Sequence, residues 1–184
     1  MLTGRFNQCA PPTLKGMSLL LDVAAALDAA GVAYVVAGGM AVVLHGHVRT
    51  TVDLDLVLDL AKENVEAALG VLEALGLRPR LPVPASAFAD EEVRESWVRE
   101  RNLIAFTMHD PRDARREVDL FAHPPIAFSE LFAGSVVIPV AGVPVRVVSV
   151  EHLVAMKRIS DREQDRADIA ALQRLHPGLR LERP

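Results

Sequence analysis

Only one cysteine, Cys9, occurs in the 184 residues. No internal disulfide can form, and a reducing, cytoplasmic setting is expected. No apolar run approaches the roughly 18 residues that a membrane-spanning helix needs, so no membrane association is expected. The apolar stretch Leu19 to Ala30 is interrupted by Asp22 and Asp28 and carries helical spacing instead. Met1 to Lys15 contains Arg5, Pro11 and Pro12 but no signal-peptide core. An excess of positive charge is also missing. The formal net charge is −4, which argues against a protein that coats long nucleic acid, though not against a local basic groove. Lysine is scarce: Lys15, Lys62 and Lys157 are the whole set, and arginine supplies the remaining cations. Internal repeats and low-complexity tracts are absent.

What the chain does have is a full core. Hydrophobic residues make up 51% of it, and its length suits one compact domain or a domain plus a small appendage. Thr13 to Ala30 reads as an amphipathic helix stopped by Gly31. Val32 to Ala37 is a short β-rich run ended by Gly38-Gly39, and Met40 to His45 reads as a short helix closed by Gly46. Val52 to Leu58 alternates, with Val52, Leu54, Leu56 and Leu58 set against Asp53, Asp55 and Val57. That period of two predicts a strand with two carboxylates on one face. Lys62 to Leu75 is a helix ending at Gly76. Leu77 to Ala89 holds three prolines and reads as a strand end and loop, followed by a short helix from Asp90 to Glu100. Asn102 to Met108 and Arg116 to Phe121 read as strands around a polar turn, His109 to Arg115. Val136 to Val140 and Val143 to Val148 predict a hairpin about Ala141-Gly142. Ser149 opens the last helical region, where Glu151 to Ile159 and Asp165 to Leu175 read as two helices or one bent helix. This order predicts an α/β (α+β) fold: a mixed β-sheet flanked by helices, with C-terminal helices.

The segment from Val35 to Leu58 carries the strongest chemical signal. Two glycines between a strand and a helix let the backbone approach a ligand closely. The unpaired N–H groups of a helix start favour anions, phosphate above all. Asp53 and Asp55 project side by side, and two close carboxylates repel unless they face solvent or share a cation. Mg²⁺ suits such a pair, because it takes oxygen ligands from one or two carboxylates plus substrate phosphates. The plainer alternative is a tight turn followed by two solvated aspartates. Arg49, between the glycines and the aspartates, either reaches a phosphate or makes a loop salt bridge. His45 and His47 fit capping or packing better than metal binding. Trp97, among Arg94, Arg99 and Arg101, is a candidate for stacking a nucleobase.

The run Val36-Ala37-Gly38-Gly39-Met40-Ala41, then His45-Gly46, Arg49, Thr51 and Asp53-Leu54-Asp55-Leu56-Val57, resembles the signature of the nucleotidyltransferase superfamily, which has the DNA polymerase beta-like fold. The Gly pair and the His-Gly-x-x-Arg-x-Thr approach are most similar to the branch of AbiEii-type toxins and related nucleotidyltransferases. The resemblance extends from about Leu19 to Leu175 and implies one nucleotidyltransferase-like domain over 1–184. Its catalytic core would span about 19–121, and its C-terminal hairpin and helices about 135–175. It also implies a third carboxylate on a later strand, and Asp119, flanked by Val118 and Leu120, meets that demand, with Glu117 on the same face as a helper. Val148 to Leu153 is similar to the strand-to-helix passage that follows the catalytic half. Lys157, Arg162, Asp165 and Asp168 match a pattern of this branch. Asp165 and Asp168 are expected to steady Arg158 or Arg162.

The activity so implied is transfer of a nucleoside monophosphate from a nucleoside triphosphate to an acceptor hydroxyl, with release of pyrophosphate. Asp53, Asp55 and Asp119 would be the catalytic residues and would bind two Mg²⁺ ions; Gly38, Gly39, Arg49 and Lys157 would bind the nucleotide, with ATP as a candidate donor. The acceptor is left open among tRNA, protein and small molecules. Residues 77–101 match no motif and are a candidate for shaping acceptor choice. One rival is a non-catalytic module of the same fold, such as a component of a toxin–antitoxin pair with a partner protein. A metal-dependent nuclease is the other; it lacks a Glu-x-Lys after Asp119 and leaves the Gly-Gly segment without a task.

Overall fold

A computed structural model describes residues 12–178, and side chains from Met17 onward; Cys9 and Arg5 lie outside the described residues. Helix α1 covers Pro12–Ala29 and ends at Gly31, whose φ of +68° is the left-handed conformation that closes a helix. Strand β1 (Tyr34–Val36), helix α2 (Gly38–Leu44), strand β2 (Leu54–Leu58) and helix α3 (Lys62–Ala74) follow. Then come β3 (Arg78–Pro79), a 3₁₀ turn (Ala85–Phe88) and α4 (Glu91–Arg101). The hairpin β4 (Ala105–Asp110) and β5 (Asp113–Phe121), the short α5 (Phe128–Ala133), and the hairpin β6 (Val136–Val140) and β7 (Val143–Val147) lead to α6 (Val150–Ser160) and α7 (Glu163–Leu175). Asp90 and Ser149 cap α4 and α6, accepting from the N–H groups of Val93 and His152 at 3.0 and 3.1 Å. Ala141 and Gly142 both take positive φ, as a two-residue hairpin turn requires.

Four elements depart from the sequence reading. The glycine pair does not precede α2 but forms its first turn. The polar segment His109 to Arg115 is mostly strand, and only Pro111-Arg112 turns. Asp110 makes that tight turn possible by accepting from the Arg112 N–H at 2.9 Å. The 3₁₀ turn sits inside the proline-rich stretch. Helix α5 was not expected at all, and it is too short for a 3.6-residue period to stand out.

Among the described residues, the seven strands join one mixed sheet in the order β3-β4-β5-β2-β1-β7-β6. The pairs β1–β7 and β2–β5 are parallel and the others antiparallel. Alternation divides the sheet chemically. One face carries Leu54, Leu56, Phe106, Met108, Val118 and Leu120, all buried. Helix α1 packs on β2, β5 and β7 and also contacts α3. Phe88 and Trp97 stack on Phe106, with ring centroids 4.8 and 5.8 Å apart. On the other face, α2 lies against β2 and in turn contacts α6. Val35 and Val57, paired across β1 and β2, are buried on that side. Toward β5 and β4 the same face becomes polar, with Asp55, Asp119, Thr107, Glu117 and His109 all partly accessible.

Trp97 is thus a core residue, 7% exposed, and not a base-stacking platform. Its neighbour Arg94 is buried as well and donates to the Phe88 carbonyl at 2.8 Å. Trp97→Ala is expected to destabilise the protein by about 3–5 kcal/mol and to leave the ligand affinity of the folded protein unchanged. Urea denaturation and binding titration check the two parts.

Candidate active site

The site begins with a register. In the parallel β2–β5 pair, Asp55 lies opposite Asp119, with Leu54 opposite Val118 and Leu56 opposite Leu120. Neighbouring strands run about 4.8 Å apart, so the apolar flanks bury themselves and the two carboxylates stand side by side on the other face. Asp53, immediately before β2, extends the row along the strand. Across the β4–β5 hairpin, Thr107 pairs with Asp119, and its hydroxyl donates to Asp119 Oδ1 at 2.6 Å. Glu117 faces His109 in the same ladder and forms an ion pair with Arg80. The Arg80 N–H donates to the Thr107 carbonyl at 2.9 Å, which ties this cation to the edge of the sheet.

Crowded like charges show in the proton affinities. Burial and then the charge of Asp119 push the Asp55 carboxyl up to about 6; the Gly39 N–H and Lys157 oppose the shift. Asp53 is raised by lost solvation and by Asp119, with Arg80 opposing. Glu117 is raised chiefly by burial. Among the described residues no group of three or more His, Cys, Asp or Glu side chains forms a ready metal cage. Mg²⁺ does not demand one, because it keeps several waters and takes carboxylates together with substrate phosphates. Carboxylates crowded in one poorly solvated row match a divalent cation, so the donor set fits the metal.

The glycines are required by contact. Gly38 has a φ of +59°, and a Cβ there would lie 1.8 Å from Asp55 Oδ2. The Gly39 N–H points at that same oxygen from 3.4 Å, and a Cβ on Gly39 would lie 2.3 Å from Arg49 Nη2 and 2.5 Å from Thr51 Oγ1. The start of α2 therefore presses directly on Asp55 from one side and on Arg49 and Thr51 from the other. Arg49 Nε lies 3.2 Å from Asp168 Oδ1, so the loop cation does make a salt bridge, and with α7.

Lys157 is 6% exposed and sits between two carboxylates, 2.8 Å from Asp165 Oδ1 and 2.7 Å from Asp168 Oδ2. Asp165 does steady Arg162, through the backbone: the Arg162 N–H donates to Asp165 Oδ2 at 3.2 Å. The side chains of Asp165 and Asp168 also hold Lys157, and Asp168 faces Arg49. Helical spacing on α7 turns both acids inward toward α6. His45 packs as expected: its Nε2 bonds the Val148 carbonyl at 2.8 Å, and its ring meets His176 edge-on. Sequence reasoning missed Thr107 and Arg80, since cross-strand neighbours carry no spacing signal.

Comparison with known proteins places this arrangement in context. The family model for aminoglycoside-2''-adenylyltransferase matches residues 19–172. The antibiotic-resistance factor ANT(2'')-Ia, in its solution structure, is similar with a TM-score of 0.57 at 16% identity, covering 89% of this chain and 84% of its own. ANT(2'')-Ia crystallised with adenylyl-2''-tobramycin gives 0.57 at 18% identity, with coverage of 85% and 87%. An antigenic nucleotidyltransferase-like protein from Paracoccidioides brasiliensis gives 0.57 at 18%, with coverage of 89% and 77%. At such identities the structures show a shared nucleotidyltransferase fold. No curated protein sequence matches the chain significantly. The superfamily expected from the glycine and aspartate motifs is shown; the narrower AbiEii-type branch is not.

Two outcomes follow from the packing around Asp55. Gly38→Ala, which forces a Cβ onto its carboxylate, is expected to lower the thermal midpoint and to disturb the site. Without metal, Asp55 also makes stability depend on pH. Its folded value of about 6 exceeds the ordinary 3.8, so the folded state holds the extra proton, and stability is lost as pH rises from about 4 through about 6. The loss approaches at most about 3 kcal/mol. Denaturation in EDTA across that window should show the fall in wild type and a flatter profile in Asp55→Asn.

Proposed function

The chain belongs to the aminoglycoside-2''-adenylyltransferase family and is a nucleotidyltransferase; on that premise we propose that it transfers the adenylyl group of ATP, with Mg²⁺, to a hydroxyl of an aminoglycoside-like small molecule. The observation that carries this reading is the register of Asp55 against Asp119, with the Gly38-Gly39 turn pressed onto the same carboxylate. The family name supports the donor and the class of acceptor. The tobramycin adduct bound by a protein of the same fold supports the acceptor further. The absence of a positive excess fits a small acceptor better than a long nucleic acid.

In this reading Asp53, Asp55 and Asp119 would hold Mg²⁺ together with the triphosphate. Bound metal would neutralise phosphate charge and acidify the acceptor hydroxyl. The acceptor oxygen forms a bond to the α-phosphorus, the bond from that phosphorus to the α–β bridging oxygen breaks, and pyrophosphate leaves with the electron pair. The hydroxyl proton passes to Asp119. Thr107 engages Oδ1 of that residue, and we assign the proton to Oδ2. Gly38 and Gly39 give the triphosphate close access to backbone N–H groups. Arg49 supplies positive charge beside it, which matters most as charge develops on the leaving group, and Lys157, buried between Asp165 and Asp168, acts at longer range.

The test is incubation with ATP, Mg²⁺ and tobramycin, following pyrophosphate release and the mass of the product. An adenylylated product that disappears with EDTA is expected. Asp53→Asn and Asp55→Asn should lower the rate by about a hundred- to a thousand-fold while the variants stay folded by circular dichroism. Triphosphate binding without any adenylylated aminoglycoside would overturn the acceptor assignment. Wild-type rates in either variant would overturn the site.

A further inference from the structure

The most buried charge among the described residues lies away from the carboxylate row. Asp168, on α7, is 0% exposed, and Lys157 and Asp165 beside it are nearly as buried. These make three of the five buried charged residues described. Such networks are poor sources of stability, because desolvation cancels most of the attraction and apolar packing serves as well. A position for these charges, more than stability, is what the arrangement secures.

Both oxygens of Asp168 are engaged. Oδ2 accepts from Lys157 Nζ at 2.7 Å. Oδ1 accepts from Gln164 Nε2 at 3.1 Å and faces Arg49 Nε at 3.2 Å. Arg49 belongs to the loop between α2 and β2; its contact with Asp168 is an ion pair, and its one hydrogen bond described is local, from Nη1 to the Thr50 carbonyl. Its Nη2 occupies the space beside Gly39, whose N–H points at Asp55. A continuous line of contacts thus runs from α7 through Arg49 and the start of α2 to the carboxylate row.

We propose that Asp168 is a positioning residue of the nucleotide site: it fixes the Arg49 guanidinium against Gly39, where it serves the triphosphate. This rests on the nucleotide-binding reading given above. Lys157 keeps Asp165 as a partner when Asp168 loses its charge, so the consequence falls mainly on Arg49.

Calorimetric titration of the full chain with Mg²⁺ and α,β-methylene-ATP, which cannot be cleaved at the transferred phosphorus, tests it. Asp168→Asn is expected to bind about tenfold more weakly, the scale of one lost charge-assisted contact. Arg49→Ala should lose a similar factor, and the double variant should be no weaker than Arg49→Ala alone, because both changes remove one interaction. A merely structural Asp168 would give losses that multiply. Multiplying losses, or wild-type affinity in Asp168→Asn, would overturn the proposal. If Asp168→Asn does not fold, Asp168→Glu carries the same cycle, since it keeps a charge opposite Lys157 while displacing the carboxylate by one methylene. Failure of the wild type to bind the analogue overturns the nucleotide reading and this inference with it. Binding by the wild type with an insensitive Asp168 overturns this inference alone.

Discussion

Two carboxylates held side by side by a strand pair set the terms for this molecule. Asp55 and Asp119 face each other across β2 and β5, at a separation where two unit charges repel by on the order of 3 kcal/mol if the effective dielectric is about 20. Nothing about the strands themselves favours that. The pairing is fixed from the opposite face, where Leu54, Leu56, Val118 and Leu120 are buried. A slip of one residue would expose those side chains and bury the acids. The hydrophobic face thus enforces an unfavourable electrostatic contact, and burial together with the charge of Asp119 raises the proton affinity of Asp55.

The surroundings are arranged around that contact. Thr107 orients one acid by hydrogen bonding, the Gly39 N–H faces the other, and Arg80 brings a positive charge from the far edge of the sheet. Gly38 leaves the room that the Asp55 carboxylate occupies. On the other side, α6 and α7 contribute a buried Lys157 and the Asp168 carboxylate that faces Arg49. The C-terminal helices therefore belong to the electrostatics of the site although they lie outside the strand pair that builds it.

Much of this was legible in the chain, and the reason differs from residue to residue. Asp53 and Asp55 stood out because an alternating strand exposes its pattern within seven residues. Gly31, Gly76 and the pair Ala141-Gly142 marked ends and turns because positive φ restricts residue choice. The glycine pair was recognised, though its place inside α2 was not, since only the contact with Asp55 shows why the helix must start there. Helix α5 and the burial of Trp97 left no periodic trace, and the turn at Pro111-Arg112 is shorter than the polar segment that marks it. Trp97 illustrates the general difficulty: arginines around an aromatic residue look alike in sequence whether the ring faces solvent or the core.

The chain's own specification is local. Its periodicities and breakers specified the class of fold, and its motif residues pointed to the nucleotidyltransferase superfamily, because backbone conformation and side-chain alternation act over a few residues. Folding settles which distant groups meet: Asp55 with Asp119, Thr107 with Asp119, Arg80 with Glu117, Lys157 and Arg49 with Asp168. Those contacts follow from strand register and helix packing, and both are set by burial of the whole apolar surface at once, a condition no short stretch of sequence can express.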